Sequence, residues 1–120
     1  PDRGIHLATS GQVLREYLVV ATRPIETNGL GLSVSDAIYN VNQFKRVLVL
    51  YPEGEAVAET LLSLLSSHGV TGKHIHDANI VALMRVHTIS TLVTFNQADF
   101  REFEWLTLLT PANALSALPS

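Results

Sequence analysis

The stretch His76–Phe100, "HDANIVALMRVHTISTLVTFNQADF", decides how the rest of the chain is read. It opens on an acid, Asp77, and continues through Ile80, Val81 and Met84 at helical spacing. It then turns into the β-branched run "TLVTF" and closes on an amide, Asn96, and a second acid, Asp99. Residues three, four and seven apart share one face of a helix, so Asp77 stands on the apolar side of a helix spanning His76 to His87. Asn96 and Asp99 lie just past the end of a strand. In open parallel α/β sheets, sites gather at the carboxyl ends of strands. Each residue also has a plainer reading. An acid in the first turn is favoured by the helix dipole, and Asn and Asp bond their own backbone in turns.

Working outward, the downstream run "LTLLT" reads as a strand up to Pro111, and "ANALSAL" as a short terminal helix. Upstream, "VTGK" is a turn. "EGEAVAETLLSLLSSHG" is a helix with Val57, Leu61, Leu64, Leu65 and His68 at helical spacing and Gly69 as its stop. "RVLVLY" is a strand closed by Pro52. Ser33 and Asp36 form a capping-box pattern ahead of a helix running to about Arg46. "PIETNGLGL" is a loop punctuated by Asn28-Gly29 and Gly31. Ser10 caps the helix "GQVLREYLVVATR", which Pro24 ends, and Ile5–Thr9 reads as a short strand. Helix and strand alternate along the chain. The expectation is a single α/β domain over 1–120, layered around one mostly parallel sheet.

One residue breaks the first helix's pattern. Glu16 sits beside Val13, Val19 and Val20, at the border of the apolar stripe. A carboxylate buried there without a partner would be costly. The alternative is a border residue that reaches water or pairs with Arg15 or Arg23.

Composition narrows the function classes. The 120 residues are 47% hydrophobic, enough for a core. Eight Lys and Arg against eleven Asp and Glu give a net charge of −3, which argues against a large basic surface. There is no cysteine, hence no disulfide framework and no thiolate metal site. No apolar run is long enough for a membrane span, and a cytoplasmic location is the expectation. "NGLGL" lacks the Lys-Ser/Thr of a phosphate-binding loop, and no nucleophilic serine elbow occurs. His74 and His76 in "KHIHDAN" lack the further spaced histidines of a binuclear metallohydrolase, so loop histidines are the simpler reading.

Asp77, Asp99 and Glu16 would repel one another if folded into one pocket, and a divalent cation is the usual remedy. Mg2+ and Mn2+ take oxygen ligands and can clamp a phosphodiester during attack by water. On this pattern the chain resembles the PIN-domain ribonucleases, most closely the VapC-type toxins of toxin–antitoxin pairs. "SGQVLREYLVVATRP" resembles the family's first acid-bearing helix and "HDANIVALM" its second. "LVTFNQADF" followed by "FREFEWLTLLTP" resembles its last strand, acid turn and closing strand.

The resemblance implies a Rossmann-like three-layer fold and a metal-dependent endoribonuclease using Mg2+ or Mn2+ on transfer or ribosomal RNA. It assigns Asp77 and Asp99 as metal ligands and Asn96 as a direct or water-mediated one. Glu16 would position water, and Thr94 would supply supporting hydrogen bonds. Arg15, Arg23, Lys73 and Arg85 are weak candidates for phosphate contacts, since scattered basic residues are usually a solvated face. The implied partners are an RNA substrate, a VapB-like antitoxin and a second copy of the chain in a homodimer.

Two departures from the family stand out. The central first strand ending in an aspartate is not matched, and the chain opens on Pro1 where the second strand should be, as an N-terminally truncated fragment would. Such a sheet would leave unpaired backbone edges. Thr88 also occupies a position where a glycine would more comfortably end a helix, which argues for a different cap. These departures, with the amide at Asn96, support the rival expectation: a non-catalytic, degenerate PIN-like interaction domain.

Overall fold

Serine caps start two of the helices, and left-handed residues end two others. The computed structural model describes residues 7–117. The chain divides into two compact units, the first ending at Pro52 and the second beginning at Glu53.

The first unit opens with strand β1 (Ala8–Ser10), which passes directly into helix α1 (Gly11–Thr22). Ser10 serves both elements: it pairs in the strand, and its hydroxyl accepts the Val13 N–H at 3.3 Å as the helix cap. A single 3-10 turn, Ile25–Thr27, follows Pro24. The loop then folds back over the end of α1, where unpaired carbonyls need donors. Leu30, Leu32 and Gly31 donate their N–H groups to the carbonyls of Val20, Ala21 and Arg23, each at 2.9 Å. Only glycine fits at position 29 in this crossing, because a Cβ there would lie 2.0 Å from the Arg23 carbonyl oxygen. Helix α2 (Val34–Val47) starts at Ser33, whose hydroxyl accepts the Asp36 N–H at 3.1 Å. Strand β2 (Val49–Tyr51) pairs in parallel with β1, Thr9 opposite Leu50. Tyr17 of α1 meets Phe44 of α2 edge to face at 5.1 Å, and its hydroxyl accepts a hydrogen bond from the Asn40 amide at 2.9 Å.

The second unit is built on helix α3 (Glu55–His68) packed against helix α4 (His74–Val86). Val57 and Leu64 on α3 are buried, as are Ala78, Val81, Ala82, Leu83 and Met84 on α4. Strands β3 (Thr91–Val93) and β4 (Thr107–Leu109) pair in parallel, Leu92 opposite Leu108. Between them a 3-10 turn, Gln97–Phe100, brings buried Phe100 against α4. Phe103 is buried under the His68 ring, centroids 4.8 Å apart, and His68 Nδ1 lies 3.6 Å from the Glu102 carboxylate. Helix α5 (Pro111–Ala117) closes the described chain, with the Thr110 hydroxyl accepting the Asn113 N–H at 3.1 Å.

The α/β character expected from sequence is present, and both strand pairs are parallel. The strands are shorter than the apolar runs suggested, and among the described residues they form two two-stranded sheets rather than one. Residues 46–48 of "RVLVLY" are lost to the strand because α2 continues through Val47. Ile5 and His6, in the first expected strand, and Leu118, in the expected last helix, lie outside the described residues. Helix α4 begins two residues earlier than expected, at His74.

Its far end corrects a second expectation. Thr88 does not use a different cap: it takes the left-handed conformation itself, at φ +57°. Ile89 N–H donates to the Met84 carbonyl at 2.8 Å and Thr88 N–H to that of Arg85 at 3.3 Å. This is the paired ending usually given to glycine. The need to bond these last carbonyls prevails over the steric cost of a β-branched residue at positive φ. Among the described residues, no helix is long and apolar enough to cross a membrane.

Candidate metal centre of the second unit

The start of α4 supplies the first half of the site. Asp77 stands in the first turn, on the face carrying buried Val81 and Met84, and its side chain is 29% exposed. His74 lies three residues earlier, so the two side chains stack on the same side of the helix. His74 Nδ1 and Asp77 Oδ2 are 3.7 Å apart.

The turn after β3 supplies the other half. Thr94 N–H donates to the Leu109 carbonyl at 2.9 Å, extending the β3–β4 pairing by one bond. The Thr94 hydroxyl accepts the Asn96 N–H at 3.1 Å, and the Asn96 carbonyl accepts the Asp99 N–H at 3.1 Å. Phe100, the next residue, is buried and anchors the turn. Each link is a local backbone constraint, and together they hold the backbone of the turn that carries Asp99. One ligand atom from each of His74, Asp77 and Asp99 lies within 4.8 Å of the others.

This donor set suits a single divalent ion. Opposite ligands of a six-coordinate dication stand roughly 4–5 Å apart, so small side-chain adjustments close the three around one centre. Two carboxylates balance the ion's charge. Because His74 and Asp99 are exposed, water or a substrate oxygen can take the remaining positions.

The other sequence-predicted residues fall out differently. The Thr94 hydroxyl accepts one backbone N–H, that of Asn96. The bonds of Asn96 are backbone ones, made by its N–H and carbonyl rather than its side-chain amide. Glu16 lies on α1 of the first unit with its carboxylate exposed, in keeping with the border-residue reading. Arg15 is exposed on the same helix, and Arg23 closes it by donating its N–H to the Val19 carbonyl at 3.1 Å. Lys73 is exposed immediately before α4. The Arg85 guanidinium sits over the Trp105 ring at 5.8 Å, and Arg85 lines an open pocket of about 380 Å³ with Glu59, Thr60, Ser63 and Val86. The Asn79 amide, also on α4, donates to the Glu53 carboxylate.

His74 is the residue that sequence reasoning set aside. With the helix begun at His76, His74 falls in the preceding turn and bears no fixed relation to Asp77. With the helix begun at His74, the two stand at i and i+3, and that spacing was the available signal.

Comparison with protein-family models, with curated proteins and with solved structures finds no match for this chain.

Proposed function

We propose that the chain is a PIN-like, Rossmann-like metal-dependent endoribonuclease of the VapC-toxin kind, with Asp77 and Asp99 holding Mg2+ or Mn2+ against an RNA phosphodiester. One observation carries this reading. Two acids far apart in sequence, on a helix start and on a post-strand turn, bring their carboxylates into one group with a histidine. A cation between them would offset the repulsion of the two carboxylates.

A dication bound there would polarise the scissile phosphate and lower the pKa of a bound water. The chain's own residues do the rest. Asp77 and Asp99 would hold that ion. The exposed Asp99 carboxylate can accept the proton of the attacking water. Thr94 and the Asn96 backbone keep the Asp99 turn from opening. Lys73, exposed one residue before His74, can meet a flanking phosphate. An RNA substrate and an antitoxin that covers the acids are the partners this reading implies.

The second reading is a non-catalytic interaction domain, favoured by the amide at Asn96, which contributes only backbone bonds. Asp77→Asn in the full chain separates the two. It removes one charge from a half-exposed side chain, so the circular dichroism spectrum should be unchanged while Mn2+-dependent RNA cleavage falls about a hundredfold or more. Equal cleavage by the variant overturns the assignment of Asp77. Absence of metal-dependent cleavage by the wild type favours the interaction domain.

A further inference from the structure

We propose that Asn28 is a site of spontaneous covalent modification, gated by the loop that folds over the end of α1. In this chain Asn28 is the only asparagine followed by glycine. The Gly29 backbone nitrogen attacks the carbonyl carbon of the Asn28 side chain. A carbon–nitrogen bond forms to close a five-membered succinimide ring. The bond to the side-chain nitrogen breaks, and that nitrogen takes up the proton Gly29 gives up and leaves as ammonia. Water then opens the ring at either carbonyl, giving aspartate or isoaspartate. No oxidation or reduction occurs, and water is the only co-reactant. Glycine favours the step because it sets no side chain in the path of the attacking nitrogen.

The loop supplies both the reactive pair and its gate. Asn28 is exposed, and among the described residues no hydrogen bond holds its side-chain amide. Its backbone, however, is kept out of the reactive shape. At φ 65° and ψ 28° the Gly29 nitrogen stands on the far side of the Asn28 Cα–C bond from the side chain. Ring closure requires that bond to rotate. Two backbone bonds oppose the rotation. Asn28 N–H donates to the Ile25 carbonyl at 3.1 Å, and Gly29 N–H to that of Pro24 at 3.0 Å. The second also engages the proton that the attacking nitrogen must lose. Reaction therefore runs through an opened loop, at a rate set by how often the loop opens.

Reclosing is harder for the isoaspartyl product. Isoaspartate routes the chain through the former side chain and lengthens the backbone by one methylene. Position 29 has no room for the extra atom, since even an added Cβ there would lie 2.0 Å from the Arg23 carbonyl oxygen. The bonds that follow, from Leu30, Gly31 and Leu32 to the carbonyls of Val20, Arg23 and Ala21, then lose their register.

Peptide mapping by mass spectrometry tests this on the full chain and on a free peptide of residues 24–32, incubated together at neutral and at alkaline pH. Both should convert at Asn28 to aspartate and isoaspartate, faster at alkaline pH because the attacking nitrogen must be deprotonated. The chain should react about tenfold or more slowly than the peptide. In the separated isoaspartyl chain, hydrogen exchange should show protection lost at the amides of Leu30, Gly31 and Leu32 and kept in α3 and α4. Conversion of the chain at the peptide's rate overturns the gate. A chain still unmodified once the peptide has fully reacted overturns the site. An isoaspartyl chain that keeps its protection at residues 30–32 overturns the consequence for the loop.

Discussion

The two units spend a similar stock of apolar residues in opposite ways. In the second unit, α3 and α4 turn their apolar faces on each other, and Val57, Leu64, Val81 and Met84 are nearly solvent-free. In the first, the only buried apolar residues among those described are Ala21 and Ala37. Among its larger side chains, Val19, Ile25, Leu30, Val34 and Tyr39 are each more than half exposed. Burial contributes roughly 25 cal/mol per Å² of apolar surface, so the second unit draws most of its stability from side-chain packing. The first relies more on backbone bonds and caps: the β1–β2 pairing, the Ser10 and Ser33 hydroxyls, and the loop folded over the end of α1. Hydrophobic periodicity is sharper in the helices of the first unit. It says which face of a helix is apolar, and not whether another element covers that face.

Two substitutions sharpen this contrast. The larger effect belongs to the second unit's core. Phe103→Ala should destabilise that unit by about 3–5 kcal/mol, whereas truncating exposed Val34 in the first unit should stay within about 0.5 kcal/mol. Urea denaturation of each variant measures both, and comparable losses would erase the distinction between a packed and an unpacked unit. The smaller effect tests strain. Thr88 holds a left-handed conformation that glycine adopts freely, so Thr88→Gly should stabilise the second unit by about 1 kcal/mol. A loss of stability in the same denaturation experiment would show that the threonine's packing outweighs its backbone cost.

Much of this architecture was legible in the sequence, for identifiable reasons. Ser10, Ser33 and Gly69 mark helix ends through specific backbone bonds or a left-handed stop, and each stands where the sequence placed it. Asp77 was correctly set on the apolar face of its helix because three- and four-residue spacing is geometric. What escaped notice lacked a local signal. Lys73, the residue flanking the start of helix α4, makes no side-chain cap bond, so the helix's first turn, and with it His74, is not visible from capping residues. Thr88 was misjudged because residue preference pointed one way and the need to satisfy the last carbonyls pointed the other. The strands were overextended because β-branched runs continue past the three residues that find a paired neighbour. The parallel pairing itself was expected; its division between two small sheets depends on contacts far apart in sequence.

The central claim is that Asp77 and Asp99 belong to one cation site, and it has a direct measurement. Amide resonances of the isotopically labelled chain can be followed as Mn2+ is added at substoichiometric amounts, since the ion broadens only signals close to it. Joint broadening of His74–Ala78 and Asn96–Phe100 at the same Mn2+ concentration, abolished by D77N, is the predicted result. Broadening confined to one of these stretches, or unaffected by D77N, would contradict the account.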